Sequence, residues 1–148
     1  MAQVTTATTG NNLKLQVKIA DGAYVDIEGQ FEYVDPVDAK RIIAEVYTPG
    51  TTTPLLVPGD FSSCKVKINV IFTETVTEAW RLLEDAFVNA DKVQVMWQPN
   101  GAAGGTMETV AGGYVETMPY VAGKGGDSKV LTAAVMLTVP GIKAYDAA

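Results

Sequence analysis

The chain has 148 residues, 47% hydrophobic and 19% charged, with eleven basic against seventeen acidic side chains and a net charge of −6. That is the length of one domain able to bury a core, and a mean hydropathy of +0.13 excludes wholesale disorder. Histidine is absent and Cys64 is the single cysteine, which excludes an imidazole general base, an intrachain disulfide and a cysteine cluster for zinc. We therefore assign no catalytic residue, no metal site and no cofactor.

The acidic balance is opposite to that of a protein built to grip a phosphate backbone. No apolar run reaches the roughly 18 residues of a membrane-spanning helix, so no membrane anchor is expected. The first twelve residues lack the basic start and apolar stretch of a secretion signal. Valine (19) and threonine (16) are abundant, and β-branched residues suit a pleated, half-buried surface. The expected class is mainly β.

Residues 1–12 are Thr-rich and aperiodic, which reads as a flexible N-terminal arm before a single domain over 13–148. Leu13, Leu15, Val17 and Ile19 alternate with polar residues and predict a strand. Asp21-Gly22 signals a turn. Tyr24 to Ile27, Gln30 to Val34 and Arg41 to Thr48 are shorter strand candidates, with Asp35-Pro36 ending the second. Thr48 to Asp60 holds three prolines and two glycines in thirteen residues, which predicts a loop. Leu55, Leu56 and Val57 sit inside it, and three adjacent apolar residues at a loop tip imply that the loop covers something.

Ser62 to Thr73 is the longest strand pattern, with Cys64, Val66, Ile68, Val70 and Phe72 on one face. Cys64 reads as a small buried hydrophobe, since no histidine activates it. Thr75-Val76-Thr77-Glu78 matches a capping box, and Val76, Ala79, Trp80, Leu83, Ala86, Phe87 and Ala90 form the apolar stripe of a helix over about 76–90. Arg81 is spaced to pair with Glu78, Glu84 or Asp85 on the opposite, solvated face. Val93, Val95 and Trp97 mark the next strand. Pro99 to Gly105 and Gly123 to Lys129 are Gly-rich turns that lack the spacing of a phosphate cradle. Tyr114 to Met118 is a short strand, and Tyr145 to Ala148 a short tail.

Val130 to Ile142 contains no charged residue. Leu131, Ala133, Val135, Leu137 and Val139 supply a core face. Val130, Thr132, Ala134, Met136 and Thr138 form an opposite face without charge, which implies cover from the domain or from a second subunit.

The segments TVTEAWRLLEDAF (75–87), KVQVMWQPNG (92–101), GGYVETMPY (112–120) and GDSKVLTAAVMLTVPGI (126–142) make the chain resemble the major tail protein, or tail-tube protein, of long-tailed bacteriophages. The resemblance spans roughly Phe61 to Ile142, and no single motif defines it. It implies a small β-sandwich or barrel with one flanking helix, whose subunits form hexameric rings stacked into the tube that conducts DNA. Implied partners are other copies of the chain and the tail proteins at the tube ends (terminator, tape measure, tip), with genomic DNA passing through unbound. The implied location is the virion tail, after synthesis in the bacterial host cytoplasm.

Leu55, Leu56, Val57, Val130, Thr132, Ala134, Met136 and Thr138 are the expected subunit-interface residues. The inner-tube protein of a type VI secretion or contractile injection system is an alternative of the same ring-forming kind. Two other classes compete. A sugar- or peptide-binding β-sandwich needs exposed aromatics on a strand face, whereas Trp80, Phe87 and Trp97 stand in core-like registers. An enzyme using only carboxylates would need Glu28, Glu32, Glu45, Glu108 and Glu116 to pair in space.

Overall fold

The computed structural model describes residues 12–123, 125–126 and 129–147. Residues 1–11 of the N-terminal arm, part of the second Gly-rich turn and the last residue of the tail lie outside the described residues.

Alternation of apolar and polar residues places two strands at the centre of two sheets. In the first sheet Lys14–Ile19 (β1) pairs antiparallel with Val93–Gln98 (β7), setting Leu15, Val17 and Ile19 opposite Trp97, Val95 and Val93. Val25–Asp26 (β2) and Met107–Glu108 (β8) complete the order β2-β1-β7-β8. In the second, Cys64–Ile71 (β6) pairs with Thr132–Val139 (β10) over eight residues, from Cys64 opposite Val139 to Ile71 opposite Thr132. Phe31–Val34 (β3) and Tyr114–Thr117 (β9) flank them in the order β3-β6-β10-β9.

The two inner faces meet in one core. Leu15, Val17, Val93 and Val95 come from the first sheet; Val66, Ile68, Val70, Val135 and Leu137 come from the second. The sheets touch at one corner, where Val93 donates its N–H to the Gly113 carbonyl at 2.8 Å. A Cβ at Gly113 would stand 2.7 Å from the Val139 side chain and 3.0 Å from the Val93 oxygen, so this corner requires glycine.

The helix Ala79–Asn89 (α1) closes one side of the core with Ala79, Trp80, Leu83 and Ala86. Trp80 meets Phe72 edge-on at 4.8 Å and its indole N–H reaches the Pro119 carbonyl at 3.4 Å. The helix starts later than the capping box predicts. Thr75 makes only a turn, Glu78 is the N-cap without a side-chain bond, and the Gln30 side chain accepts from the Ala79 N–H at 2.8 Å. A tertiary partner has replaced the local one. Val76 therefore precedes the helix and is exposed, and Phe87 is 39% exposed beside the stripe rather than in it.

Thr48 to Asp60 is also not a loop throughout. Leu55–Phe61 (β5) pairs with Arg41–Val46 (β4) as a separate two-stranded ribbon. Pro58 is tolerated because both strands of such a ribbon are edges; only the tip keeps turn geometry, with Thr51 bonded back to Thr48. The C-terminal tail is likewise fastened. Thr109 bridges Ile142 and Thr106 bridges Asp146, so residues 142–146 run along β8.

The cap assignment has a direct check. Gln30→Ala is expected to lower the unfolding free energy by about 1 kcal/mol in urea titrations, the usual cost of a lost N-cap. Thr75→Ala should stay within about 0.5 kcal/mol, as an uninvolved surface substitution does.

Candidate functional site

Two surfaces and one polar cluster carry most of the exposed chemistry. The first surface is the β4–β5 ribbon, exposed along its whole length. Directly opposite residues share a face. Ala44 with Val57 and Val46 with Leu55 make one face free of charge, while Ile43 with Pro58 and Glu45 with Leu56 make the other. Arg41 stacks over the Phe61 ring at 4.2 Å and bonds the Gly59 carbonyl at 2.9 Å, which stiffens the base of the ribbon. Leu55 is 60% exposed and Phe61 65%. An isolated two-stranded ribbon is marginal in water, and one that exposes both faces with this much apolar area needs cover.

The second surface is the face of sheet β3-β6-β10-β9 turned away from the core. Thr132 is exposed there, while Ala134, Met136 and Thr138 are half-buried. The structure corrects the expectation of a charge-free surface at this strand. Residues across the sheet fill it: Lys65 of β6 and Glu116 of β9 contact each other over β10, and both bond the Thr138 hydroxyl, at 3.0 and 2.6 Å. Lys67 reaches Asp35 at 4.0 Å, and Asn69 donates to Glu32 at 2.6 Å. The polarity missing from β10 is supplied by its neighbours, a cross-strand effect that periodicity within one strand does not carry. The Lys65 ammonium, and next the Thr138 hydroxyl, hold the Glu116 carboxyl below its ordinary range. Val130 stands outside the sheet and is exposed, and Leu131, expected in the core, is 39% exposed. The sheet ends in two edge strands, β3 and β9, each paired on one side only.

The polar cluster was not anticipated. Tyr24, from the turn before β2, donates to Glu108 of β8 at 2.5 Å, and Lys143 of the C-terminal segment meets the same carboxylate at 3.2 Å. Lys18 lies 5.9 Å from the Tyr24 ring centroid. Partial burial first, and then the bond to Glu108 and its negative charge, push the Tyr24 phenol up. Partial burial opposes ionisation of Glu108, but the bonds from Tyr24 and Lys143 outweigh it and lower the carboxyl from its ordinary value. The cluster ties three remote segments together. Of the five carboxylates named as a possible catalytic set, Glu32 accepts from Asn69, Glu45 lies near Tyr47, Glu108 accepts from Tyr24 and Glu116 contacts Lys65, while Glu28 is fixed through its backbone N–H to the Asp26 carboxylate.

No sequence-family model and no curated protein matches this sequence. Solved structures do match in shape. A chain of the anti-feeding prophage baseplate, solved with six-fold symmetrisation, superposes with a TM-score of 0.72 at 9% identity over 95% of this chain and 96% of that one. A chain of the empty gene transfer agent tail, refined with C6 symmetry, gives 0.67 at 13% identity over 96% and 99%. The SPP1 tail tube gives 0.62 at 14% identity over 96% of this chain and 80% of that one. This chain has the tail-tube protein fold, a small β-rich domain with one flanking helix.

The polar cluster has a pH signature. A carboxyl whose folded pKa is lowered contributes stability above its unfolded value near 4.5 and loses it as pH falls through the lowered value. Glu108→Gln should be less stable than the parent chain by about 1.5–3 kcal/mol at neutral pH, the range for bonds to a charged group. The gap should close in acid, read by urea unfolding of both proteins across the carboxylate range.

Proposed function

We propose that this chain is a structural subunit of a virion tail tube, in which six copies close a ring and rings stack into a conduit for DNA. It performs no catalysis in this reading. The observation that carries it is the pairing of a whole-chain tail-tube fold with a four-stranded sheet whose outer strands, β3 and β9, each have one strand partner among the described residues. Edge strands pair readily with another chain, and edge-to-edge pairing of copies continues the sheet around a ring. The helix and the first sheet occupy the other side of that sheet, so the bulkier layer goes outside, where the circumference is larger. The bare face with Thr132, Ala134, Met136 and Thr138, which the sequence marked as subunit-interface candidates, then turns inward in this reading.

Leu55, Leu56 and Val57 serve contacts between copies, with exposed Val130 as a second contact point. Burying a Leu or Val side chain contributes about 1.5–3 kcal/mol before ordering costs, and a ring repeats that contribution in every subunit. Proteins that cap the tube are the expected partners at its ends, with a tape measure and tip on the same reasoning. DNA passes without specific binding, in keeping with the net charge of −6, and assembly follows synthesis in the host cytoplasm. A contractile injection system is the second reading, supported by similarity to a chain of an extracellular contractile injection system sheath-tube complex (TM-score 0.62, 12% identity, 91% of this chain and 89% of that one). A sheath-protein gene beside this one would favour it.

Negative-stain microscopy of the purified chain tests the reading: rings or tubes are expected, and monomers under every salt condition would overturn it. Replacing Leu55, Leu56 and Val57 by Ser-Gly-Ser should preserve the helix and strand signals in circular dichroism while tube length collapses. Normal tubes from that variant would remove the ribbon from the contact set.

A further inference from the structure

An acidic chain places two lysines on the bare sheet face, and neither stands alone. Lys65 and Lys67 are two residues apart on β6, so both project to the same side. Lys65 and Glu116 belong to strands separated by β10, a span of about 10 Å between backbones. Their contact requires both side chains to lie across the sheet over Thr138, which bonds to each at 3.0 and 2.6 Å. Lys67 reaches Asp35, and Asp35 is positioned by its own N–H bonding the Lys67 carbonyl at 3.0 Å. These groups are exposed, with 41–54% of each side chain accessible, and exposed ion pairs add little to folding stability. What such pairs change is the field above the sheet.

We propose that Glu116 and Asp35 are charge-masking residues, which hold Lys65 and Lys67 in ion pairs so that neither of these two ammonium groups is free for a polyanion. The functional meaning rests on that face lining the conduit. Non-specific association with nucleic acid scales with the number of phosphates neutralised by lysine and arginine. A free lysine in each subunit would recur at every step of a tube and retard a sliding duplex. Paired lysines present a neutral surface, beside the Glu32 carboxylate of β3, which accepts from Asn69. Glu116 and Asp35 act through the lysines and are positioning residues.

The test uses the full soluble chain, a fluorescent DNA duplex of about 20 base pairs and anisotropy titrations from about 50 mM salt upward. The Asp35→Asn/Glu116→Gln double variant should bind about tenfold tighter than the parent at the low end, with the salt slope steeper by about one per lysine released. Glu116→Asp should restore weak binding. Adding Lys65→Gln and Lys67→Gln to the double variant should return binding to the parental level, with thermal unfolding of all variants close to the parent. Unchanged binding by the double variant would overturn masking. So would tighter binding that persists without the two lysines, because loss of negative charge alone would then explain it. Failure of the parent chain to form tubes would remove the conduit reading, yet the duplex titrations would still decide masking.

Discussion

The register of β6 against β10 is the constraint on which the rest of the molecule depends. Eight consecutive pairs align Cys64, Val66, Ile68 and Val70 with Val139, Leu137, Val135 and Ala133 on one face. A slip by one residue would turn the whole apolar set outward and bring Lys65 and Lys67 into the core. The helix and strands β7 to β9 lie between these two strands in the chain, so their pairing closes everything between them. β3 and β9 can attach only to a sheet already in this register, and each does so with a bulge or irregularity in its pairing.

The same register creates a division between faces. One side of the sheet packs against β1, β7 and α1; the other carries Thr138, Glu116, Lys65, Lys67 and Asn69 in a bonded polar layer. The buried side stabilises the fold and the polar side is free for work outside it. Loops fastened elsewhere serve the first sheet: the Tyr24–Glu108–Lys143 cluster and the strand-like course of residues 142–146 close its β8 edge. Among the described residues β2, β3 and β9 each keep a single strand partner.

The ribbon is the least self-sufficient element. Among the described residues it pairs with no third strand, it exposes both faces, and Arg41 on Phe61 stiffens its base. Its stability therefore belongs to whatever covers it. That separates two kinds of apolar area in one chain: side chains buried in the core, and side chains left exposed on the ribbon.

The sequence by itself determined the mainly β class, the single amphipathic helix, the positions of β1, β6, β7 and β10, and the apolar character of Leu55, Leu56 and Val57. These follow from periods of two and 3.6 residues, which one segment displays without its neighbours. Phe87 and Leu131 continue such a period yet are partly exposed, because periodicity does not tell where the covering layer ends. Tertiary structure alone decided that Gln30 rather than Thr75 caps the helix, that β5 runs through Pro58, that β8 and the tail form the first sheet's far edge, and that Lys65, Thr138 and Glu116 meet. Each of these is a bond between residues far apart in the chain. Local patterns report which side of a segment is apolar, and only the folded chain decides which polar groups face one another across the remaining side.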